Sequence, residues 1–117
     1  MFFVTKIQVN HYADKFLQNL KKRKPLDYTS ILKDLDIVLK TSIEDCFKAK
    51  LLRQIKGYQE DIVEIRTSTK EREYRLLGTI IEKTFYIVHI FIKKEQKTRK
   101  KDIELTIKRL KEDNIIE

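Results

Sequence analysis

The alternation of apolar and polar positions divides the chain into two styles of patterning that meet at Gly57. From Phe2 to Val9 the sequence alternates loosely and is rich in Phe, Val, Thr and Ile, which predicts a first strand. A helix is expected over His11–Lys22, with Tyr12, Phe16 and Leu20 forming one apolar stripe at a spacing of four. The basic run Lys21–Lys24 and then Pro25 should end it. Asp27, Thr29 or Ser30 can cap a second helix, whose face is Ile31, Leu32, Leu35, Val38 and Leu39 and whose end falls near Thr41–Ser42. Ile43, Phe47 and Leu51 keep the same spacing, so a further helix is expected over Glu44–Ile55, with Gly57 as its stop.

Beyond Gly57 the period changes. Ile62–Thr67, Tyr74–Ile81 and Thr84–Ile92 read as three strands joined by a polar turn at Ser68–Arg72 and a tight turn at Glu82-Lys83. The third is apolar on both faces, as a centrally placed strand would be. A last helix should begin near Arg99, with Ile103, Ile107 and Leu110 on its buried face. The fold class expected is α+β: an N-terminal strand and helices packed on an antiparallel sheet, with a C-terminal helix. An all-helical reading fails on the β-branched and aromatic block Ile62–Ile92.

Composition bounds this picture. The 117 residues fit one domain, 1–117; 41% hydrophobic residues suffice for one modest core, and the charged residues, 38% of the chain, can cover it. Net charge is +8, which favours polyanions: nucleic acid, an anionic membrane or an acidic protein. A lysine-rich but merely solvated surface is the competing reading. The single Cys46 excludes an internal disulfide, and with His11 and His89 it makes a poor zinc set, so no metal site is expected. Met1–Val4 is too short for a secretory signal, and Phe85–Ile92 falls far short of the ~20 residues of a membrane helix. A soluble, cytoplasmic protein without membrane contact is expected.

Three places could carry chemistry. With Lys70-Glu71 as a two-residue turn, Arg66 stands opposite Arg75 with both side chains on one face. Such a pair needs compensation, either from Glu64 on the same face or from a bound phosphate; a solvated charged face fits the spacing equally well. Second, Lys93–Lys101 holds six basic residues and one acidic one and leads into a helix N-terminus, which makes Lys93, Lys94, Lys97, Arg99 and Lys100 candidates for tracking phosphates. Third, His89 sits within the last strand, sharing a face with Phe85, Ile87 and Lys93; a lone His there is more often a core residue than an acid or base. Tyr58, Tyr74 and Tyr86 fit core packing better than base stacking. No P-loop, Rossmann glycine pattern, nucleophile elbow or metal-ligand motif occurs, so no cofactor is expected.

The residues of Ile55-Lys56-Gly57, Val63-Glu64-Ile65-Arg66, Glu73-Tyr74-Arg75-Leu76-Leu77, His89-Ile90-Phe91-Ile92-Lys93-Lys94, Gln96-Lys97-Thr98 and Ile103-Glu104-Leu105 together resemble the RelE/ParE toxin superfamily. Within it, the series is most similar to the HigB-like, phage-derived branch, and it spans about Ile31 to Leu110. The resemblance implies a RelE-like fold and the toxin of a type II toxin–antitoxin module. Such a toxin is a metal-independent endoribonuclease that cuts mRNA on the ribosome by attack of the ribose 2′-hydroxyl, and so inhibits translation. It implies Arg75, Lys94 and His89 as catalytic positions and Arg66, Lys93 and Lys97 as RNA contacts, to which the basic run adds Arg99 and Lys100. The implied partners are mRNA on the ribosome and a cognate antitoxin, expected to be a helix-turn-helix protein. Two departures stand out: Ile103 or a neighbour falls where RelE proper has a tyrosine, and Arg99 falls where proline is common. A ParE-like, non-nuclease inhibitor of gyrase and a non-toxic phage nucleic-acid-binding protein are the alternatives.

Overall fold

Asn10 starts the first helix, its side chain accepting from the Ala13 N–H at 3.0 Å. The computed structural model describes all residues from Met1 to Glu117. Strand β1 (Lys6–Val9) leads into α1 (His11–Arg23), with Asp14 in its first turn and Lys21, Lys22 and Arg23 in its last, as the helix dipole favours. Pro25 occupies the first turn of α2 (Pro25–Lys40), where its missing N–H costs nothing. None of Asp27, Thr29 and Ser30 is therefore the cap; Asp27 is buried instead. Ser42 caps the short α3 (Ile43–Lys48), accepting from Asp45 N–H.

The helix expected to reach Ile55 stops early. Lys50 adopts φ 60°, its N–H bonds Phe47 O at 3.1 Å, and Leu51 N–H bonds Cys46 O at 2.9 Å. This is a Schellman ending built on lysine rather than glycine, so no residue type announces it. The chain then forms β2 (Leu52–Ile55), which pairs antiparallel with β3 (Ile62–Ser68); Gly57, with φ 93°, lies in the connection between them.

Strands β3, β4 (Glu73–Ile81) and β5 (Thr84–Ile92) form the expected meander. Arg66 does stand opposite Arg75. The turn at Glu82-Lys83 has positive φ at both residues, 49° and 70°, as a two-residue hairpin needs. One correction concerns β1. It is shorter than the expected Phe2–Val9, Phe3 making only a bridge to Ser42, and it runs parallel to β5. The sheet is thus five-stranded and mixed, in the order β1-β5-β4-β3-β2, rather than antiparallel throughout.

Helices α1, α2 and α3 cover one face and α4 (Lys100–Glu112) the other. The first face holds a cluster of 16 buried apolar residues, including Leu17, Ile31, Leu35, Ile65, Leu76 and Phe85. The α4 face holds six: Ile55, Ile62, Leu77, Val88, Ile103 and Leu110. On α1 the buried stripe is Ala13, Leu17 and Leu20; Tyr12 is 41% exposed and lies under the Arg109 guanidinium, 4.0 Å away. Leu32 of α2 is likewise exposed, and on α4 Thr106 is buried where Ile107 is only half-buried.

A β-bulge decides which face His89 takes. Leu77 pairs with His89 but Gly78 pairs with Ile87, so Val88 is an extra residue. Backbones approach so closely there that a Cβ on Gly78 would lie 1.6 Å from the Tyr86 carbonyl oxygen. Phe85 and Ile87 face the large cluster, whereas His89 faces α4. The expectation that His89 shares a face with Phe85 and Ile87 is therefore overturned: the extra residue shifts the alternation by one.

Candidate nucleic-acid interface on the face beneath the C-terminal helix

Glu64, wholly buried, is the hub of this face. It projects from β3 between Arg53, its partner on β2, and the Arg66–Arg75 pair. Arg75 Nη1 donates to Glu64 Oε1 at 2.5 Å; Arg53 Nε and Arg66 Nε lie 3.4 Å and 4.0 Å from the same oxygen. From the segment between β5 and α4, the Thr98 hydroxyl donates to Glu64 Oε2 at 2.5 Å and accepts from Arg53 Nη2 at 3.3 Å. One carboxylate thus holds three guanidinium groups together, answering the like-charge repulsion that the hairpin register creates.

Arg75 is 1% exposed, so in this state it offers nothing to an external phosphate. Its Nε donates to Glu73 Oε2 at 2.7 Å; its Nη2 lies 2.5 Å from that same oxygen, out of hydrogen-bond alignment, and makes no hydrogen bond of its own. Lys93 Nζ is 3.4 Å from Glu73 Oε2. Burial pushes the Glu73 carboxyl up, but Arg75 and Lys93 outweigh it and hold the group below the usual carboxylate range. Arg53, Arg66, Arg75 and Lys93 face two carboxylates, which leaves an excess of positive charge. The side chains of Arg53 and Arg66 are over a third exposed.

A second centre lies toward α4. His89 Nε2 is 2.8 Å from Asp102 Oδ1, and Arg109 Nη1 is 3.1 Å from His89 Nδ1. Arginine only donates, so Nδ1 accepts and Nε2 carries the proton toward Asp102. Arg109 also donates to Val88 O, and Arg99 Nε to Asp102 Oδ2 at 3.0 Å. Burial depresses the His89 pKa and outweighs Asp102, which alone would raise it. The imidazole is therefore neutral, stacked on Phe91, with both nitrogens engaged inside the fold. Thr98 and Arg99 link the two centres, one reaching Glu64 and the next Asp102.

Beside these centres opens a cleft of about 930 Å³ between the β2 edge and the start of α4. Arg53, Lys56, Lys97, Arg99 and Lys100 line it together with Tyr58, and Glu95 is its one acidic residue. Arg99 is the N-cap of α4, but its side chain bonds Asp102 and leaves the first-turn N–H groups uncapped, so the helix N-terminus adds to the positive potential. The structure thus brings Arg66, Arg75 and Lys93 into one cluster and Lys97, Arg99 and Lys100 into the adjoining cleft. Lys94 is exposed and belongs to neither. Arg53 and Asp102 were not singled out in the sequence, and Lys56, Glu73 and Thr98 stand there only within the motifs, with no site role. Arg53 was hidden by the helix expected there; recognising β2 would have set it against Glu64.

The opposite face has one polar centre. Tyr74 Oη donates to Asp27 Oδ2 at 2.6 Å and Arg72 Nε to the same oxygen at 2.8 Å. Both bonds hold the Asp27 carboxyl below its ordinary range, and burial, with Asp27 alongside, pushes the Tyr74 hydroxyl up to about 12. Cys46 is a buried thiol whose pKa burial raises. No group of three or more His, Cys, Asp or Glu is placed to hold a metal, and no helix is long and apolar enough to cross a membrane.

Residues 15–111 match the model of a family described as "Phage derived protein Gp49-like (DUF891)". No curated protein matches the chain.

Proposed function

Because the chain belongs to the Gp49-like family of phage-derived proteins, a RelE-like, toxin-like family, we propose that it is the toxin of a type II toxin–antitoxin module and acts on mRNA. The observation that carries this reading is the meeting of the Glu64-centred arginine cluster with a basic cleft at a helix N-terminus. Polyanion binding uses such a surface: guanidinium groups orient phosphates, and lysines add sequence-independent attraction. Arg66, Arg53, Lys97, Arg99 and Lys100 are then the phosphate contacts, with Tyr58 available to stack on a base.

In the finer reading, the 2′-hydroxyl of an A-site nucleotide gives up its proton to a base and attacks the adjacent phosphate. A cyclic phosphate forms as the bond to the 5′-oxygen breaks, and that oxygen takes up a proton. Lys93 and, once its contacts to Glu73 open, Arg75 would stabilise the charge gathering at phosphorus, with the exposed Lys94 next to Lys93 in the chain as a further cation. His89 would serve in proton transfer only after its bonds to Asp102 and Arg109 open. The activity needs no cofactor in this scheme. One domain, in the cytoplasm, would meet mRNA on the ribosome and an antitoxin of helix-turn-helix type, which would cover the basic face.

One observation favours a second reading, in which a ParE-like toxin inhibits gyrase by contact alone: Arg75 and His89 are both closed off by partners within the fold. Expression of the chain without antitoxin separates the two. Growth arrest with ribosome-dependent mRNA cuts, lost in an Arg66→Ala/Lys97→Ala variant, is expected. Arrest with DNA damage and intact mRNA would instead support gyrase inhibition. Arg75→Ala is unsuitable, because it strands two carboxylates and would confuse unfolding with loss of function.

A further inference from the structure

Arg75 presents two edges, and they are satisfied differently. Its Nη1 is bonded to Glu64, which sits mid-strand, fully buried, and is also held by Thr98. Its outer fork, Nε and Nη2, faces a single oxygen, Glu73 Oε2; Nε is hydrogen-bonded to it, while Nη2 is in ion-pair contact at 2.5 Å but out of hydrogen-bond alignment. One oxygen cannot satisfy a fork built to receive two, whereas a phosphate offers two oxygens at matching spacing. Glu73 differs from Glu64 in freedom as well. It is the first residue of β4, beside the turn, and its side chain is 33% exposed, so it can swing into solvent without disturbing the sheet.

We propose that Glu73 is a built-in competitor: its carboxylate holds the place of an RNA phosphate on Arg75, and the strand must displace it to engage the buried arginine. The inference rests on the RNA-directed reading above and assigns a gate to that same site. The exchange keeps the local charge balanced, because one anion replaces another beside Arg75 and Lys93. Lys93, now 3.4 Å from Glu73 Oε2, stays behind as a second cation for the incoming phosphate. Glu73 recovers full hydration as it leaves. The free chain is therefore self-shielded, and its apparent affinity is reduced by the fraction of molecules in which the fork is closed.

The test is the affinity of a short single-stranded RNA, by fluorescence anisotropy at fixed salt, for the wild-type chain and for Glu73→Gln, Glu73→Asp and Glu71→Gln. Glu73→Gln removes the competing charge; Glu73→Asp keeps the charge but withdraws it by one methylene. Both should bind about tenfold tighter than wild type, as expected when a closed state is no longer favoured. Glu71→Gln, a neighbour that pairs with Arg72 instead, should change affinity by less than about twofold if only remote charge is involved. Tighter binding by Glu73→Gln with Glu73→Asp at the wild-type value would overturn the gate in favour of bulk charge. No gain in either Glu73 variant, with wild-type binding intact, would overturn the gate and leave the RNA reading standing. Absence of RNA binding by every protein would remove both.

Discussion

On the face covered by α1, α2 and α3, sixteen apolar residues are packed around one polar centre, Asp27 with Tyr74 and Arg72. On the face under α4, six apolar residues share the space with Glu64, Arg75, Glu73, His89, Asp102 and Thr98. The same strands supply both, since alternate residues of β3 and β4 point opposite ways: Val63, Ile65, Tyr74 and Leu76 to one side, Glu64, Arg66 and Arg75 to the other. One face can hold the fold together with non-directional burial. The other buries charges in mutually dependent pairs, which stabilise little net but fix geometry. A surface meant to receive phosphate needs that fixed geometry.

Substitutions on the two faces test this division. Glu64→Gln should cost about 3–5 kcal/mol in urea unfolding, because it leaves Arg75 buried without its main partner. Leu76→Ala, on the other face, should cost a similar amount, about 2–5 kcal/mol, by opening a cavity. A Glu64 variant as stable as wild type would mean that the hub is not a fixed part of the fold. Gly78→Ala should cost about 3 kcal/mol by overpacking at the bulge, and should also move His89 away from Asp102, visible as a changed imidazole resonance. Asp27→Asn should cost about 2 kcal/mol, since Arg72 is partly exposed and only Tyr74 is wholly buried.

His89 on one face and Tyr74 on the other should also part company in their pH dependence. His89 has a depressed pKa in the fold, so its contribution to stability is full above the ordinary histidine value, about 6.5, and is lost as pH falls through the depressed one. Tyr74 has a raised pKa, so its contribution is full below the ordinary tyrosine value and is lost as pH climbs to about 12. His89→Gln should flatten the acid limb of the stability profile, and Tyr74→Phe the alkaline limb. If neither variant changes its own limb, the buried networks do not form as described. The smallest effect should come from Lys97→Ala or Lys100→Ala, both exposed and free of ion pairs, at under about 0.5 kcal/mol of stability.

Most of the fold was legible because it rests on periodicity. The helices at His11 and Pro25, the β3–β4–β5 meander, the Arg66–Arg75 register and the last helix all follow from spacing and turn residues. What stayed hidden rests on tertiary contact. β2 depends on a left-handed lysine at position 50, the parallel pairing of β1 on a non-local partner, and the orientation of His89 on one extra residue at Val88. The site was half legible for the same reason. Lys93–Lys101 is a recognisable basic run and Arg66 and Arg75 follow from the hairpin register, but Arg53, Glu73, Thr98 and Asp102 are ordinary residues until the chain brings them there.

The central claim is that the α4 face takes RNA phosphates, and the salt dependence of RNA affinity tests it most directly. Wild type and the Lys97→Ala/Lys100→Ala double variant should be titrated with single-stranded RNA over a range of salt. The slope of log affinity against log salt should be shallower in the variant by about 1.4, at about 0.7 per lost phosphate contact, with the melting temperature nearly unchanged. Equal slopes in the two proteins would contradict the claim and move the RNA, if it binds, to another face.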